Sequence, residues 1–164
     1  MITLPSYPKV NLIGFILASL AIIVSIFLQL HYHIDPCPLC IVQRLLMVFI
    51  AVLFLIATLH TPQPLGRRVF GGVLCLLSLA GVAISGWQVW LQHLPPDKAP
   101  ACGASLDYML HNLPFYEMVQ LVLKGTADCA RVNWSFLGIS MAQMAVAVFI
   151  LLALIAATHI IRKK

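Results

Sequence analysis

The sequence predicts an all-α membrane protein, a four-transmembrane-helix bundle with one long loop on the outer side of the membrane. Hydrophobic residues make up 62% of the chain and charged residues 9%, whereas a soluble domain is about 45–50% apolar. Four apolar runs are each long enough to cross a bilayer. Because lipid offers no partners to backbone polar groups, each run must be helical. The whole chain, residues 1–164, is expected to form a single membrane domain.

The first two spans are predicted at about residues 10–30 and 37–60. The middle of the first, "LIGFILASLAIIVSIFL", carries no charge. It is too long for the apolar part of a signal peptide, and no cleavage site closes it before "FLQLHYH". The second span contains one charge, Arg44.

The other two spans are predicted at about residues 69–91 and 134–161. The third contains small residues that permit close helix packing, Gly71, Gly72, Gly81 and Gly86. The fourth ends in "RKK".

Lysine and arginine positions predict the orientation of the bundle. Lys9, the pair Arg67 and Arg68, and the tail at 162–164 fall on one side, while the short loop "HYHIDP" has neither residue type. By the positive-inside rule, both the N- and C-termini are cytoplasmic. The basic composition is therefore a topology signal, and it gives no support to nucleic-acid binding.

The outer loop is predicted at about residues 92–133. It opens with "LPPDKAPACG", whose prolines and glycine exclude a regular helix. Further on, "LPFYEMVQLVLKG" places Leu113, Tyr116, Val119 and Leu123 on one stripe. This pattern indicates a short helix that either lies on the membrane surface or packs against the top of the bundle.

Four of the five cysteines fall on the outer side, and the fifth, Cys75, lies inside a span. Four cysteines allow three pairings, and the sequence does not choose among them. The simplest pairing joins Cys37 to Cys40 and Cys102 to Cys129. A purely structural bridge would also explain the latter two.

The "CPLC" segment favours redox chemistry. Pro36 and Pro38 suit a helix start, which places the sulfurs of Cys37 and Cys40 on the first turn of the second span. Unpaired N–H groups and the helix dipole favour a thiolate there. A zinc site would need a second Cys or His pair at the spacing of zinc motifs, which the chain lacks, and attached haem would need histidine where Ile41 stands.

Arg44 lies four residues after Cys40, on the same helix face and about 6 Å deeper. An arginine at the centre of a span costs ~2.5–3.5 kcal/mol, and less near an end. It is therefore predicted to have an anionic partner, either the Cys40 thiolate or an oxygen of a reduced ligand. The alternative is a side chain that extends to the lipid headgroups.

A dithiol that cycles needs an electron acceptor. The sequence has no dinucleotide-binding fingerprint, haem ligation or iron–sulfur spacing. A quinone dissolved in the lipid fits a CxxC at the hydrocarbon boundary. Two disulfides in series would then relay electrons from the loop to the CxxC pair.

Three segments resemble the disulfide bond formation protein B (DsbB) family of bacterial inner-membrane thiol oxidases: "PCPLCIVQR", "VWLQHLPPDKAPACG" and "GTADCARVNWSFLGISMAQ". The resemblance covers nearly the whole chain. It implies that the protein reoxidises a periplasmic thioredoxin-like oxidase of the DsbA type. Cys102 would form the mixed disulfide with that partner, and Cys129 would pair with Cys102. Cys37 and Cys40 would pass electrons to ubiquinone or menaquinone, assisted by Arg44.

One position departs from the family pattern. Many relatives have a histidine just before the "VWLQ" stretch near the quinone, and this chain has Gln88. An amide can hydrogen-bond a quinone oxygen but cannot carry a positive charge. His93 lies close by and is a weaker candidate for the same contact.

Two other classes of membrane protein share some of these features. A vitamin K epoxide reductase-like protein also combines four helices with a CxxC, but there the motif follows three spans and here it follows one. A haem-binding membrane subunit would need facing histidines within the spans, and all six histidines fall at span ends or in loops.

Overall fold

The fold is a bundle of four long helices with small elements at one end. A computed structural model describes residues 6–33, 36–60, 63–95, 111, 114–130, 132 and 134–161. Its elements, in chain order, are α1 (Tyr7–Tyr32), α2 (Pro38–Leu59), α3 (Pro64–Gln92), α4 (Phe115–Lys124), α5 (Ala127–Ala130), β1 (Ser135–Phe136), β2 (Ile139–Ser140) and α6 (Met141–Ile161). Helices α1, α2, α3 and α6 are long and apolar enough to cross a membrane. The predicted all-α bundle of four spans is confirmed.

The fourth span begins later than predicted. Residues 135–140 form an antiparallel hairpin in which Ser135 pairs with Ser140, and the helix starts at Met141. Leu137 and Gly138 have φ angles of 52° and 81°, which form the turn of this hairpin. The hairpin contains apolar residues, so hydropathy alone predicts a span that starts near residue 134. The backbone of these residues is not helical.

The predicted helix of the outer loop is present as α4. Val122 is buried, whereas Tyr116 and Leu123 on the predicted stripe are exposed. The helix therefore packs one side against the bundle and leaves an apolar stripe uncovered. Its placement on a membrane surface stays a prediction, and Leu113 lies outside the described residues.

Glycines allow two close helix contacts in the core. A Cβ atom added at Gly81 of α3 would overlap the ring of Phe149 on α6, and one added at Gly14 of α1 would lie 2.7 Å from the ring of Phe54 on α2. Both rings are fully buried. Gly71 is also in close contact with α6, whereas no described residue lies within 4 Å of a Cβ at Gly72 or Gly86, so these two glycines are not used for a close helix contact there.

The two ends of the bundle differ in chemistry. At one end, the start of α1, the start of α3 and the end of α6 meet: the Tyr7 ring lies 4.7 Å from the His159 ring and 4.9 Å from the Arg67 guanidinium. The opposite end carries Cys37, at the start of α2, and α4 and α5 pack against it. This separation places Cys37, Cys40 and Cys129 at the end of the bundle opposite Tyr7, Arg67 and His159.

We expect Gly81→Val to lower the thermal unfolding midpoint of the protein in detergent, because overpacking a core costs about 1–3 kcal/mol. Gly72→Val is the matched control, since it adds the same β-branched side chain to α3 where space is open. Equal midpoints for the two variants would contradict the contact between α3 and α6.

Candidate functional site

The CxxC pair lies at the start of α2, as predicted. Cys37 is the N-cap residue with Pro38 behind it in the first turn, and its sulfur accepts a hydrogen bond from the Cys40 backbone N–H at 3.4 Å. The two Sγ atoms are 2.9 Å apart. Proline suits this turn because the N–H that it lacks would have no partner within the helix. The local sequence thus places two sulfurs where only a small shift separates a dithiol from a disulfide, whose S–S bond is about 2.05 Å.

Cys129 of α5 brings a third sulfur atom next to the CxxC pair. It is fully buried in a cluster with Cys37, Leu39 and Leu91. Gly125 allows the approach, since its φ is 79° and a Cβ there would lie 2.5 Å from Leu91. The loop fold therefore delivers Cys129 to the CxxC pair.

Cys129 and Cys37 lie side by side in this cluster. The neighbouring Cys37 side chain lowers the pKa of Cys129. Burial raises that pKa, but it is outweighed by Cys37 and by the hydrogen bonds of Thr126, whose hydroxyl lies 3.7 Å from the sulfur. A thiol with a lowered pKa is the better leaving group in disulfide exchange.

The sequence did not indicate that Cys129 would lie beside Cys37. The predicted partner of Cys129 was Cys102, which lies outside the described residues, so that pairing stays a prediction. The contact depends on how residues 114–130 fold over the end of the bundle, which no local pattern encodes.

Two buried glutamines contact the sulfurs or each other. Gln88 of α3 places its Nε2 atom 3.3 Å from Cys40 Sγ and 3.4 Å from Cys37 Sγ. Gln43 of α2 donates from Nε2 to Gln88 Oε1 at 2.7 Å. Gln43 was not singled out from the sequence, although a polar residue three positions after Cys40 in an apolar run was a usable signal.

Arg44 is held by α1. Its Nε donates to Ser25 Oγ at 2.9 Å, one terminal nitrogen donates to the Ser25 carbonyl at 3.3 Å, and the other donates to Gln29 Oε1. These acceptors are neutral, and an anionic partner for Arg44 stays a prediction. Several neutral oxygens around a planar guanidinium can satisfy its donors without a second buried charge. Ser25 and Gln29 are one helical turn apart in a run without charges, which was the missed signal.

A cavity of about 340 Å³ lies between α1, α2, α3 and α6. Its polar wall is formed by Cys37, Cys40, Gln43, Arg44 and Gln88. Apolar side chains of α1 and α6 form most of the remainder.

The cavity opens on the lateral surface of the bundle along α1. Leu20 and Val24 both line it, and they are 55% and 47% exposed. His93 is not among the described lining residues; it is exposed, and its Nδ1 lies 2.7 Å from the Val89 carbonyl oxygen of its own helix. A flat, mostly apolar molecule with polar oxygens fits these walls.

Comparison with known proteins agrees with this arrangement. A sequence model of the family described as disulfide bond formation protein DsbB matches residues 8–159. The chain is 42% identical to disulfide bond formation protein B of Methylococcus capsulatus over 139 residues, which is 85% of each chain. The protein of the same name from Stutzerimonas stutzeri is 38% identical over 151 residues, 92% of this chain and 93% of the relative. The chain belongs to the DsbB family.

Membership of the DsbB family connects the cysteines to disulfide bond formation. This DsbB-family chain is a multi-pass membrane protein with disulfide oxidoreductase activity. The family match favours this class over the vitamin K epoxide reductase-like and haem-binding alternatives.

We expect Cys37 and Cys129 to cross-link in the variant Cys40→Ser/Cys102→Ser after mild oxidation, because the two side chains lie in one buried cluster. Peptide mass spectrometry would identify the bond. Cys75 serves as the internal control, since it lies within α3 and packs against the bundle core. A product in which Cys129 stays reduced would contradict the geometry.

Proposed function

We propose that the protein reoxidises a periplasmic thioredoxin-like (DsbA-type) dithiol oxidase by disulfide exchange and passes the two electrons to a membrane quinone. The single chain, residues 1–164, would lie in the bacterial inner membrane with cytoplasmic termini and periplasmic redox cysteines. The observation that carries the proposal is that the Cys40 sulfur and the Arg44 guanidinium share one wall of a mostly apolar cavity.

The first exchange would occur at the loop. A thiolate of the partner attacks Cys102, the bond from Cys102 to Cys129 breaks, and Cys129 leaves as a thiolate. The second partner thiol then releases the partner as a disulfide. Thr126 supports this order, because its hydrogen bonds lower the pKa of Cys129 and a more acidic thiol leaves faster.

The second exchange would move the electron pair to the CxxC. The Cys129 thiolate attacks the sulfur of Cys37, which lies in the same buried cluster. The bond from Cys37 to Cys40 breaks, and Cys40 is left as a thiolate on the cavity wall. The buried position of Cys129 excludes water from this step.

Ubiquinone or menaquinone fits the cavity by its chemistry: a flat ring with two oxygens requires apolar walls and a donor at one end. A bound quinone would supply the acceptor for two electrons and two protons. Arg44 uses three N–H groups on α1, and a guanidinium has five, so donors remain for an oxygen in the cavity. Gln88 lines the same wall and is the second proposed quinone contact.

The test is anaerobic oxidation of a reduced DsbA-type partner by the purified protein, with ubiquinone or menaquinone added in turn. We expect oxidation with at least one quinone and none without. Cys102→Ser should abolish partner oxidation while it leaves quinone reduction by a small dithiol partly intact, because small thiols reach the CxxC pair directly.

Cys75→Ser is the control for a cysteine outside the proposed relay and should keep wild-type rates. If neither quinone supports partner oxidation, the proposed function is wrong. Equal loss of both activities in Cys102→Ser would overturn the order of the relay.

Arg44→Leu should raise the apparent KM for quinone about tenfold or more, since a hydrogen bond to a charged group contributes about 1.5–3 kcal/mol. Ser25→Ala should cause a smaller rise, because it removes one of the bonds that hold the guanidinium. Steady-state kinetics with a water-soluble quinone analogue would measure both. An unchanged KM in Arg44→Leu would exclude Arg44 from the quinone site.

A further inference from the structure

The amide of Gln88 faces the sulfurs of the CxxC pair. Its Nε2 atom is within 3.3–3.4 Å of both Cys40 and Cys37, and the side chain is only 4% exposed. Hydrogen bonds to sulfur are long, so both distances are in range. An amide nitrogen has two N–H groups, so one can donate to Cys40 while the other remains for Cys37 or a quinone oxygen.

Gln43 fixes which end of that amide meets the sulfurs. Its own Nε2 donates to Gln88 Oε1 at 2.7 Å, which holds the carbonyl at Gln43 and turns the N–H groups toward the sulfurs. The same oxygen lies 3.7 Å from Cys40 Sγ and accepts from the Cys40 thiol before that thiol ionises. Gln43 is also buried. A thiolate only accepts hydrogen bonds, so ionisation of a sulfur and donation from Gln43 favour the same orientation of Gln88.

We propose that Gln88 is a catalytic residue that stabilises the thiolate formed at Cys40, and that Gln43 is a positioning residue that orients it. This inference rests on the proposed function for the step that forms the thiolate. In that step the Cys129 thiolate bonds to Cys37, the bond from Cys37 to Cys40 breaks, and the electron pair stays on Cys40. The N–H groups of Gln88 then donate hydrogen bonds to the negative sulfur of Cys40, and no proton is transferred.

Few other charges face this sulfur. Among the described residues that line the cavity, the titratable or charged ones are Cys37, Cys40 and Arg44, and α5 adds Cys129 from behind. The guanidinium donates to Ser25 and Gln29 on α1, whereas Gln88 touches the sulfur itself. In a medium of low dielectric, a fixed N–H donor on an anion has a larger effect than in water.

The test measures alkylation of Cys40 against pH in the reduced, full-length protein in lipid nanodiscs, resolved by mass spectrometry. Gln88→Met keeps the volume and removes both donors. We expect the midpoint of its alkylation curve to rise by about one pH unit, which makes the thiolate fraction at neutral pH about tenfold smaller. Gln88→His restores an N–H donor and should return the midpoint toward wild type.

Gln43→Met should shift the midpoint in the same direction by a smaller amount, because Gln88 keeps its donors but loses its orientation. Gln92→Met is the matched control: Gln92 lies one turn beyond Gln88 on α3, and its amide oxygen accepts from Ser140 Oγ at 2.8 Å. It should leave the midpoint unchanged.

An unchanged midpoint in Gln88→Met, or an equal shift in Gln92→Met, would overturn the role of Gln88. An unchanged midpoint in Gln43→Met alone would overturn the role of Gln43. The alkylation assay contains neither quinone nor partner, so it decides this inference separately from the partner-oxidation test of the proposed function.

Discussion

The hydrogen bonds between Arg44 and α1 are the interaction on which the rest of the site depends. A guanidinium inside an apolar bundle is costly unless its donors are satisfied, and Ser25 and Gln29 satisfy them with neutral oxygens. The same bonds hold the C-terminal half of α1 beside α2. They therefore form the polar wall of the cavity and keep a positive charge near Cys40 without neutralising it with a carboxylate.

The packing of the helices in the bundle core explains why a cavity is present. Helices α3 and α6 approach closely where Gly81 meets Phe149, and α1 and α2 do so where Gly14 meets Phe54. Helices α1 and α6 contact each other less extensively. The two tight pairs leave space between them, and apolar side chains line it. A lipid-soluble molecule can enter such a space from the membrane without crossing water.

The sulfur chemistry depends on a different part of the fold. The start of α2 brings two cysteines together by local geometry, whereas Cys129 comes from a short helix held by Gly125 and Thr126. Its thiol lies in one buried cluster with Cys37, whose side chain lowers the pKa of Cys129. One sulfur is thus prepared to attack and to leave, while the amide of Gln88 faces the other two.

The sequence by itself determined the class of protein, the four spans and the place of the CxxC at a helix start, because hydropathy, span length and proline are local properties. It also marked Arg44 as a residue in need of partners. It could not supply those partners, nor the contact of Cys129 with Cys37, nor the pairing of Gln43 with Gln88. Residues 15 to 92 positions apart make these contacts, and only the packing of helices decides which polar groups meet. The fourth helix starts at Met141, later than the hydropathy predicts, for a related reason. Hydropathy measures how apolar a segment is, whereas the turn at Leu137 and Gly138 is set by backbone conformation.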